Sequence, residues 1–225
     1  SGAGKCRYYQ KSYISFDIIN LYIYTNKIML VLIPTAGIGS RLDLSTQNFN
    51  KSMIQLGDSP VISKIIDSYP HNTKFIIITG YKADHIKEYI NLVYPRKKIK
   101  FVHVSLFEGP GSGLTESLKK SLKFINEPFF FHANDSIFID KKFYTNIKED
   151  TMYIQKGKSD TMKYATVEIQ KNKKKIHGKL NYLRKDFYNY TGVAYIYNYK
   201  LFKNLLKQDN SNDGELTYFK KLDQD

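Results

Sequence analysis

Met29-Leu30-Val31-Leu32-Ile33-Pro34-Thr35-Ala36-Gly37-Ile38-Gly39-Ser40-Arg41-Leu42 is the stretch that sets the reading of this chain. It opens with a short apolar run that ends in a Gly-rich turn. That is the pattern of a strand buried on both faces of a parallel sheet. Working outward, Pro60 to Tyr69 carries Val61, Ile62, Ile65 and Ile66 on one helical face, with Pro60 at the first turn. Lys74 to Thr79 is a second buried strand, closed by Gly80, and Asp84 to Leu92 follows as a helix. Lys98 to Val104 reads as a third strand, Gly113 to Phe124 as a helix, and Pro128 to Ala133 as a fourth strand ending at Asn134-Asp135. This alternation predicts an α/β fold, a doubly wound and mostly parallel sheet, with ligands at the carboxyl ends of its strands.

The pattern changes after Asp140. Tyr164 to Gln170 and Lys175 to Leu183 read as antiparallel strands around a basic turn, Lys171 to Lys175, and Thr191 to Tyr197 as another strand. Lys200 to Lys207 and Gly214 to Leu222 then read as helices, so an α+β half completes the same domain. Residues 29–225 are read as that domain. Residues 1–28 are read as a tag remnant, Ser1-Gly2-Ala3-Gly4, and an N-terminal extension. Gly-Ala-Gly-Lys near the start is no P-loop, because Cys6 stands where a magnesium-holding Ser or Thr belongs and no strand precedes it. The end at Asp225, straight after a helical pattern, reads as that of a piece of a longer protein with room for a further domain.

Composition bounds the function. The 225 residues suffice for a substantial core, and 42% hydrophobic with 15% aromatic residues excludes a disordered chain. No apolar run reaches the roughly 18 residues of a membrane span. One cysteine excludes a disulfide framework and fits a reducing, cytoplasmic setting. The formal charge is +14, yet only four of 35 basic residues are arginine, the side chain that nucleic-acid readers favour for bidentate contacts. The charge is therefore read as attraction of phosphate-bearing small molecules rather than of nucleic acid.

Chemistry concentrates behind the strands. Gly37 and Gly39 let the backbone approach a polyphosphate and offer it N–H groups. A dinucleotide fingerprint would need a third glycine where Leu42 stands. Lys51 follows ten residues beyond Arg41, in Asn50-Lys51-Ser52-Met53, with Pro60 opening the next helix. This series, Ala-Gly-x-Gly-Ser-Arg-Leu, a loop, Lys-x-Met and then Pro, resembles the signature of the nucleotidyltransferases with a GT-A-like Rossmann core. These are the sugar-1-phosphate and phospho-alcohol pyrophosphorylases. Where their pattern has Pro-Lys, this chain has Asn50-Lys51. Later segments match in order. Gly109-Pro110-Gly111-Ser112-Gly113-Leu114 resembles the base-reading loop. Phe131-His132-Ala133-Asn134-Asp135 resembles the strand that ends in a magnesium-binding aspartate. Tyr164 to Glu168, Lys179, Tyr190-Thr191-Gly192-Val193 and Gly214-Glu215-Leu216-Thr217 resemble the acceptor half, with Tyr218 where an aspartate is expected.

The resemblance implies a set of roles. Thr35, Ala36, Gly37, Gly39, Ser40, Gly80, Gly111, Gly113 and Asn134 would line the nucleotide. Arg41 and Lys51 would hold the triphosphate and the leaving pyrophosphate. Asp135 would bind Mg²⁺ through hard oxygen ligands, and Lys179, Gly192 and Glu215 would form the acceptor side. The implied reaction is in-line attack of an acceptor phosphate on the α-phosphorus of a nucleoside triphosphate, which asks for positioning and cations. CTP or UTP, and a phosphorylated sugar or small phospho-alcohol used in surface-glycan or lipid building, are the expected substrates. The bland rivals are a surface arginine at 41, one lysine among many at 51, and a turn-forming aspartate at 135. Lys179 competes with Lys173, Lys174 and Lys175, while His103 and His132 read as packed core histidines. The second magnesium aspartate of the family has no counterpart before Asp225, unless Asp213 substitutes. A non-catalytic nucleotide-binding module on the same fold therefore stays open, with a nucleic-acid-binding α/β protein behind it.

Overall fold

A computed structural model of the chain describes residues 7–9, 28–39, 48–140, 142–156, 164–170, 173–178 and 187–223. Among these, the apolar run after Met29 forms strand β2 (Leu30–Pro34), which follows a short strand β1 (Arg7–Tyr9). A small hairpin, β3 (Gln55–Leu56) and β4 (Ser59–Pro60), leads into helix α1 (Val61–Asp67). Strand β5 (Lys74–Thr79), helix α2 (Ala83–Val93) and strand β6 (Lys98–His103) come next. Helix α3 (Leu114–Ser121) precedes strand β7 (Phe129–His132). The second half contributes β8 (Thr151–Lys156), β9 (Thr166–Gln170), β10 (Lys173–His177), β11 (Tyr188–Ile196), α4 (Tyr199–Gln208) and α5 (Leu216–Leu222).

The strands lie in the order β1-β8-β11-β7-β2-β5-β6, with β9 beside β11 and β10 beside β9. β7, β2, β5 and β6 are mutually parallel, with Leu32 opposite both Ile76 and Phe131. β11 then runs antiparallel to β7 and β8, so a parallel half passes into a mixed half within one sheet. Within the parallel half the chain winds from β2 outward through β5 to β6, then crosses back to β7 on the other side of β2. The direction of winding reverses between β2 and β7. Beyond their carboxyl ends is where an open α/β sheet leaves a crevice for a ligand.

The core explains why these strands read as unbroken apolar runs. Leu30, Leu32, Ile76, Ile78, Phe129 and Phe131 face one layer, with Leu118 of α3, Phe202 of α4 and Phe219 of α5. Val31, Ile33, Phe75, Ile77 and Phe130 face the opposite layer, with Ile62 and Ile66 of α1 and Ile86 and Ile90 of α2. Successive side chains of one strand thus enter two different buried layers. The doubly wound α/β expectation holds.

Some details differ from the expectation. β8 was not anticipated; its apolar centre is only Met152, Tyr153 and Ile154, too short to stand out. The helix expected over Gly113 to Phe124 ends at Ser121, and Leu122–Phe124 tightens into a 3₁₀ turn. The basic run expected as a turn enters β10 at Lys173. His103 is exposed rather than packed, because β6 is the edge strand and only alternate positions near its end are covered.

Candidate functional site

At the exit of β2 the chain is held by its neighbour. Thr35 donates its backbone N–H to the Ile78 carbonyl at 2.7 Å and its hydroxyl to the same oxygen at 2.8 Å, which extends the β2–β5 pairing past Pro34. The Ala36 carbonyl accepts from Tyr81 N–H at 2.9 Å. This contact needs Gly80, because a Cβ there would lie 2.8 Å from the Ala36 oxygen and 2.9 Å from its Cβ. Gly37 is different: it is exposed, and a Cβ there would meet nothing within 4 Å. Gly39 adopts a positive φ of 73°. Ser40 and Arg41, expected next in this loop, lie outside the described residues, as does Lys179.

The 3₁₀ turn Lys51–Met53 returns to this loop through Asn50. The Asn50 side chain donates to the Thr35 carbonyl and to the Tyr81 carbonyl, each at 2.8 Å. Its oxygen caps the turn, accepting from Ser52 N–H at 3.0 Å and from the Ser52 hydroxyl at 2.8 Å. Lys51 then reaches across the mouth of the sheet, and its Nζ lies 3.1 Å from Asp135 Oδ2. The two candidates are 84 positions apart in sequence and meet where the winding reverses.

Asp135 sits on a turn braced from two sides. Ala133 N–H donates to the Gly192 carbonyl at 2.8 Å, and the Ser136 hydroxyl donates to the Thr191 carbonyl. Gly192 has φ 78°, and a Cβ on it would come within 2.7 Å of Ala133 Cβ, so only glycine lets β11 approach this closely. Beneath the turn, buried His132 links the Tyr69 hydroxyl at Nδ1 (2.8 Å) to the Ser136 carbonyl at Nε2 (2.9 Å). A carbonyl can only accept, so Nε2 carries the proton and Nδ1 accepts from the tyrosine. Burial pushes the His132 pKa down to about 4, against weaker opposing effects of the Ser136 carbonyl and Asp135. The packed-histidine reading of His132 is correct, and its hydrogen bonds fix the turn that carries Asp135.

The base-loop candidates lie at the start of α3. Gly109 and Gly111 have φ of 81° and 80°. Asn212 accepts from Leu114 N–H at 2.9 Å and fills the space over Gly113, where a Cβ would stand 2.1 Å from its oxygen. Gly214 N–H donates to Thr115 Oγ1 at 2.9 Å. Asp213 is engaged with Lys220 at 2.5 Å. The segment before α5 is thereby fastened to the loop before α3, and it delivers Glu215 into the interior. Burial raises the Glu215 pKa to about 8; the Asp213 and Asp135 charges add to the rise, and backbone hydrogen bonding opposes it. Glu215 Oε2 and Asn134 Nδ2 are buried without a hydrogen-bond partner among the described residues.

The site therefore joins Thr35, Ala36, Gly37, Lys51 and Asp135 at one mouth, with Gly192 and Asn134 beside Asp135. Sequence reasoning missed Asn50, the His132–Tyr69 pair and Asn212. The Asn-x-Ser pattern at 50–52 is a capping signal, but the carbonyls that Asn50 binds have no signature. Among the described residues no three His, Cys, Asp or Glu side chains are grouped to hold a metal. Asp135, with a carboxylate 65% exposed, nevertheless suits Mg²⁺, which takes one or two carboxylates and fills its shell with water and phosphate oxygens.

No family model matches the chain, and no curated protein matches it. Solved structures do. A UDP-glucose pyrophosphorylase complexed with UDP-glucose aligns at a TM-score of 0.69 and 16% identity, over 88% of each chain. A putative glucose-1-phosphate thymidylyltransferase from Bacillus anthracis aligns at 0.65 and 22%, over 87% of this chain and 81% of that one. The CTP:phosphocholine cytidylyltransferase from Streptococcus pneumoniae aligns at 0.63 and 16%, over 86% of each. The chain has the fold of these nucleotidyltransferases, as the glycine-loop and Lys51 resemblance implies.

Proposed function

We propose that this chain is a Mg²⁺-dependent nucleotidyltransferase. It would transfer a nucleoside monophosphate from a triphosphate, CTP or UTP by preference, to a phosphorylated sugar or small phospho-alcohol and release pyrophosphate. The observation that carries this reading is the Lys51–Asp135 pair at 3.1 Å, set beside the glycine loop where the sheet reverses its winding. A cation beside a hard-oxygen ligand, next to a backbone that offers N–H groups, is a triphosphate site. The fold similarity to enzymes of this reaction supports it.

In this reading the loop from Thr35 through Gly39 and Ser40 cradles the phosphates, and Gly37 gives them close backbone access. Gly80, Gly111, Gly113 and Asn134 shape the nucleoside side. Arg41 and Lys51 draw charge from the leaving pyrophosphate. Asp135 would hold the magnesium ion, which neutralises phosphate charge when bound. Lys179 orients the acceptor phosphate, and Gly192 and Glu215 bound the acceptor pocket. The ligand is a nucleotide and not nucleic acid, and the setting is cytoplasmic, in surface-glycan or lipid building. Among the described residues no helix is long and apolar enough to cross a membrane.

A second reading, a nucleotide-binding module without catalysis, is favoured by the engagement of Asp213, the candidate second magnesium ligand, with Lys220. One assay separates the two. The protein is incubated with Mg²⁺, each of CTP, UTP, dTTP, GTP and ATP, and a panel of sugar phosphates and phosphocholine, while pyrophosphate release and thermal stability are followed. Release with one pair, lost in Lys51→Ala and Asp135→Ala, is expected. Stabilisation by a triphosphate without release with any acceptor would favour the module.

A further inference from the structure

A half-exposed lysine–carboxylate pair contributes at most about 1 kcal/mol, too little to hold a long side chain in one place. Something else must set Lys51 opposite Asp135, and the residue before it is built for that task. Asn50 is fully buried. Its amide uses both N–H groups on carbonyls of two different loops, Thr35 after β2 and Tyr81 after β5. Its oxygen accepts twice from Ser52, on the turn that carries Lys51. One side chain thus joins three segments that converge on the site.

We propose that Asn50 is a positioning residue, whose buried amide locks the exits of β2 and β5 to the Lys51 turn and so sets the ammonium against Asp135. Other side chains do not reproduce this. Aspartate would turn oxygen lone pairs toward two carbonyls, and glutamine carries one methylene too many for a site with no exposure. Proline, the residue of the similar pattern, suits the Asn50 backbone at φ −70° and ψ 144°. It would keep the chain direction and supply none of the four hydrogen bonds.

The inference concerns Lys51 and Asp135 themselves; only its consequence for phosphate binding rests on the function proposed above. The test has two arms. In the first, trace acetylation with acetic anhydride, read by peptide mass spectrometry, measures Lys51 reactivity in the free protein. Asn50→Ser keeps a capping oxygen and drops the two amide donors, and Asn50→Pro keeps the backbone alone. Both are expected to raise Lys51 labelling several-fold while Lys98 labelling stays constant. Asp135→Ala should raise it similarly, and the Asn50→Ser/Asp135→Ala double variant no further. Unchanged Lys51 labelling in Asn50→Ser or Asn50→Pro, or effects that multiply in the double variant, would overturn the proposal. In the second arm, calorimetry measures affinity for magnesium pyrophosphate. A loss of about tenfold in Asn50→Ser, absent in a Lys51→Ala background, is the expected sign of action through the lysine. Additive losses would overturn it. A wild-type protein that binds no pyrophosphate would count against the nucleotidyltransferase reading, while the labelling arm still decides Asn50.

Discussion

His132 and Glu215 are two buried titratable groups whose environments push them in opposite directions. His132 has its pKa lowered to about 4 from 6.5, chiefly by burial, and Glu215 has its pKa raised to about 8 from 4.5, again chiefly by burial. Between pH 4.5 and 6.5 the unfolded chain holds a proton on the histidine that the folded chain lacks, and the folded chain holds one on the glutamate that the unfolded chain lacks. Their contributions to the pH slope cancel there. From pH 6.5 to 8 only the glutamate remains, so its stabilising contribution is lost as pH rises. Glu215→Gln removes that loss. The stability difference between the variant and the wild type, in which the His132 and other titrations cancel, should rise in the variant's favour by about 1.4 kcal/mol per pH unit between pH 4.5 and 8. Urea unfolding of both proteins over pH 5 to 8 measures it, and a pH-independent difference would show Glu215 to be ionised in the fold. A parallel series with His132→Gln should lose the opposite slope, confined to the acid side of pH 6.5.

At the scale of elements, glycines separate closely packed from open positions. Gly192 combines φ 78° with a Cβ position 2.7 Å from Ala133 Cβ, so β11 and the Asp135 turn cannot both keep their places around an alanine. Gly192→Ala should destabilise the fold by about 2 kcal/mol, a fall of several degrees in Tm by calorimetry. Gly37→Ala meets nothing within 4 Å and should leave Tm unchanged. If the polyphosphate approaches there, the same substitution should weaken triphosphate affinity about tenfold or more; equal affinity would move the phosphate away from Gly37. The contrast also shows what the sequence could convey. β2, β5 and β7 were legible because strands buried on both faces leave unbroken apolar runs, and their turns end in glycine or Asn-Asp. β8 was not, since it begins at Thr151 and leaves the core after Ile154. His103 was misplaced because edge position is a property of the sheet, not of the strand. Lys51 and Asp135 could be put forward as candidates from motifs, and the fold brings them together. The buried bonds of Asn50 to Thr35 and Tyr81 could not, because their acceptors are main-chain carbonyls that any residue supplies.

For the whole molecule the +14 charge poses the sharpest choice between partners. Among the described residues several lysines face acids: Lys64 meets Asp58, Lys74 meets Glu127, Lys119 meets Glu116 and Lys220 meets Asp213. A dense cluster, Lys119, Lys123, Lys203 and Lys207, lines a cleft of about 340 Å³ over Leu122. Within it Lys203 is turned onto the Ile125 carbonyl at 2.9 Å, and Lys119 onto Glu116 at 2.7 Å. Such a surface gives a diffuse positive field rather than a track of phosphate contacts, and salt near 0.15 M screens it beyond about 8 Å. A duplex binder neutralising six to ten phosphates would lose about 10³-fold or more in affinity between 50 and 200 mM salt. A triphosphate held at close range by Lys51, as proposed, would lose far less. Titrations of this chain in 50 and 200 mM KCl should therefore show triphosphate affinity falling only several-fold with Mg²⁺ present. Labelled duplex DNA should bind weakly at the lower salt and not at the higher. Reversal of Lys123 and Lys207 to glutamate should abolish the weak DNA signal and leave triphosphate binding intact. Retained DNA binding at 200 mM, lost with those same reversals, would make the lysine cleft a nucleic-acid surface and return the charge to a functional role.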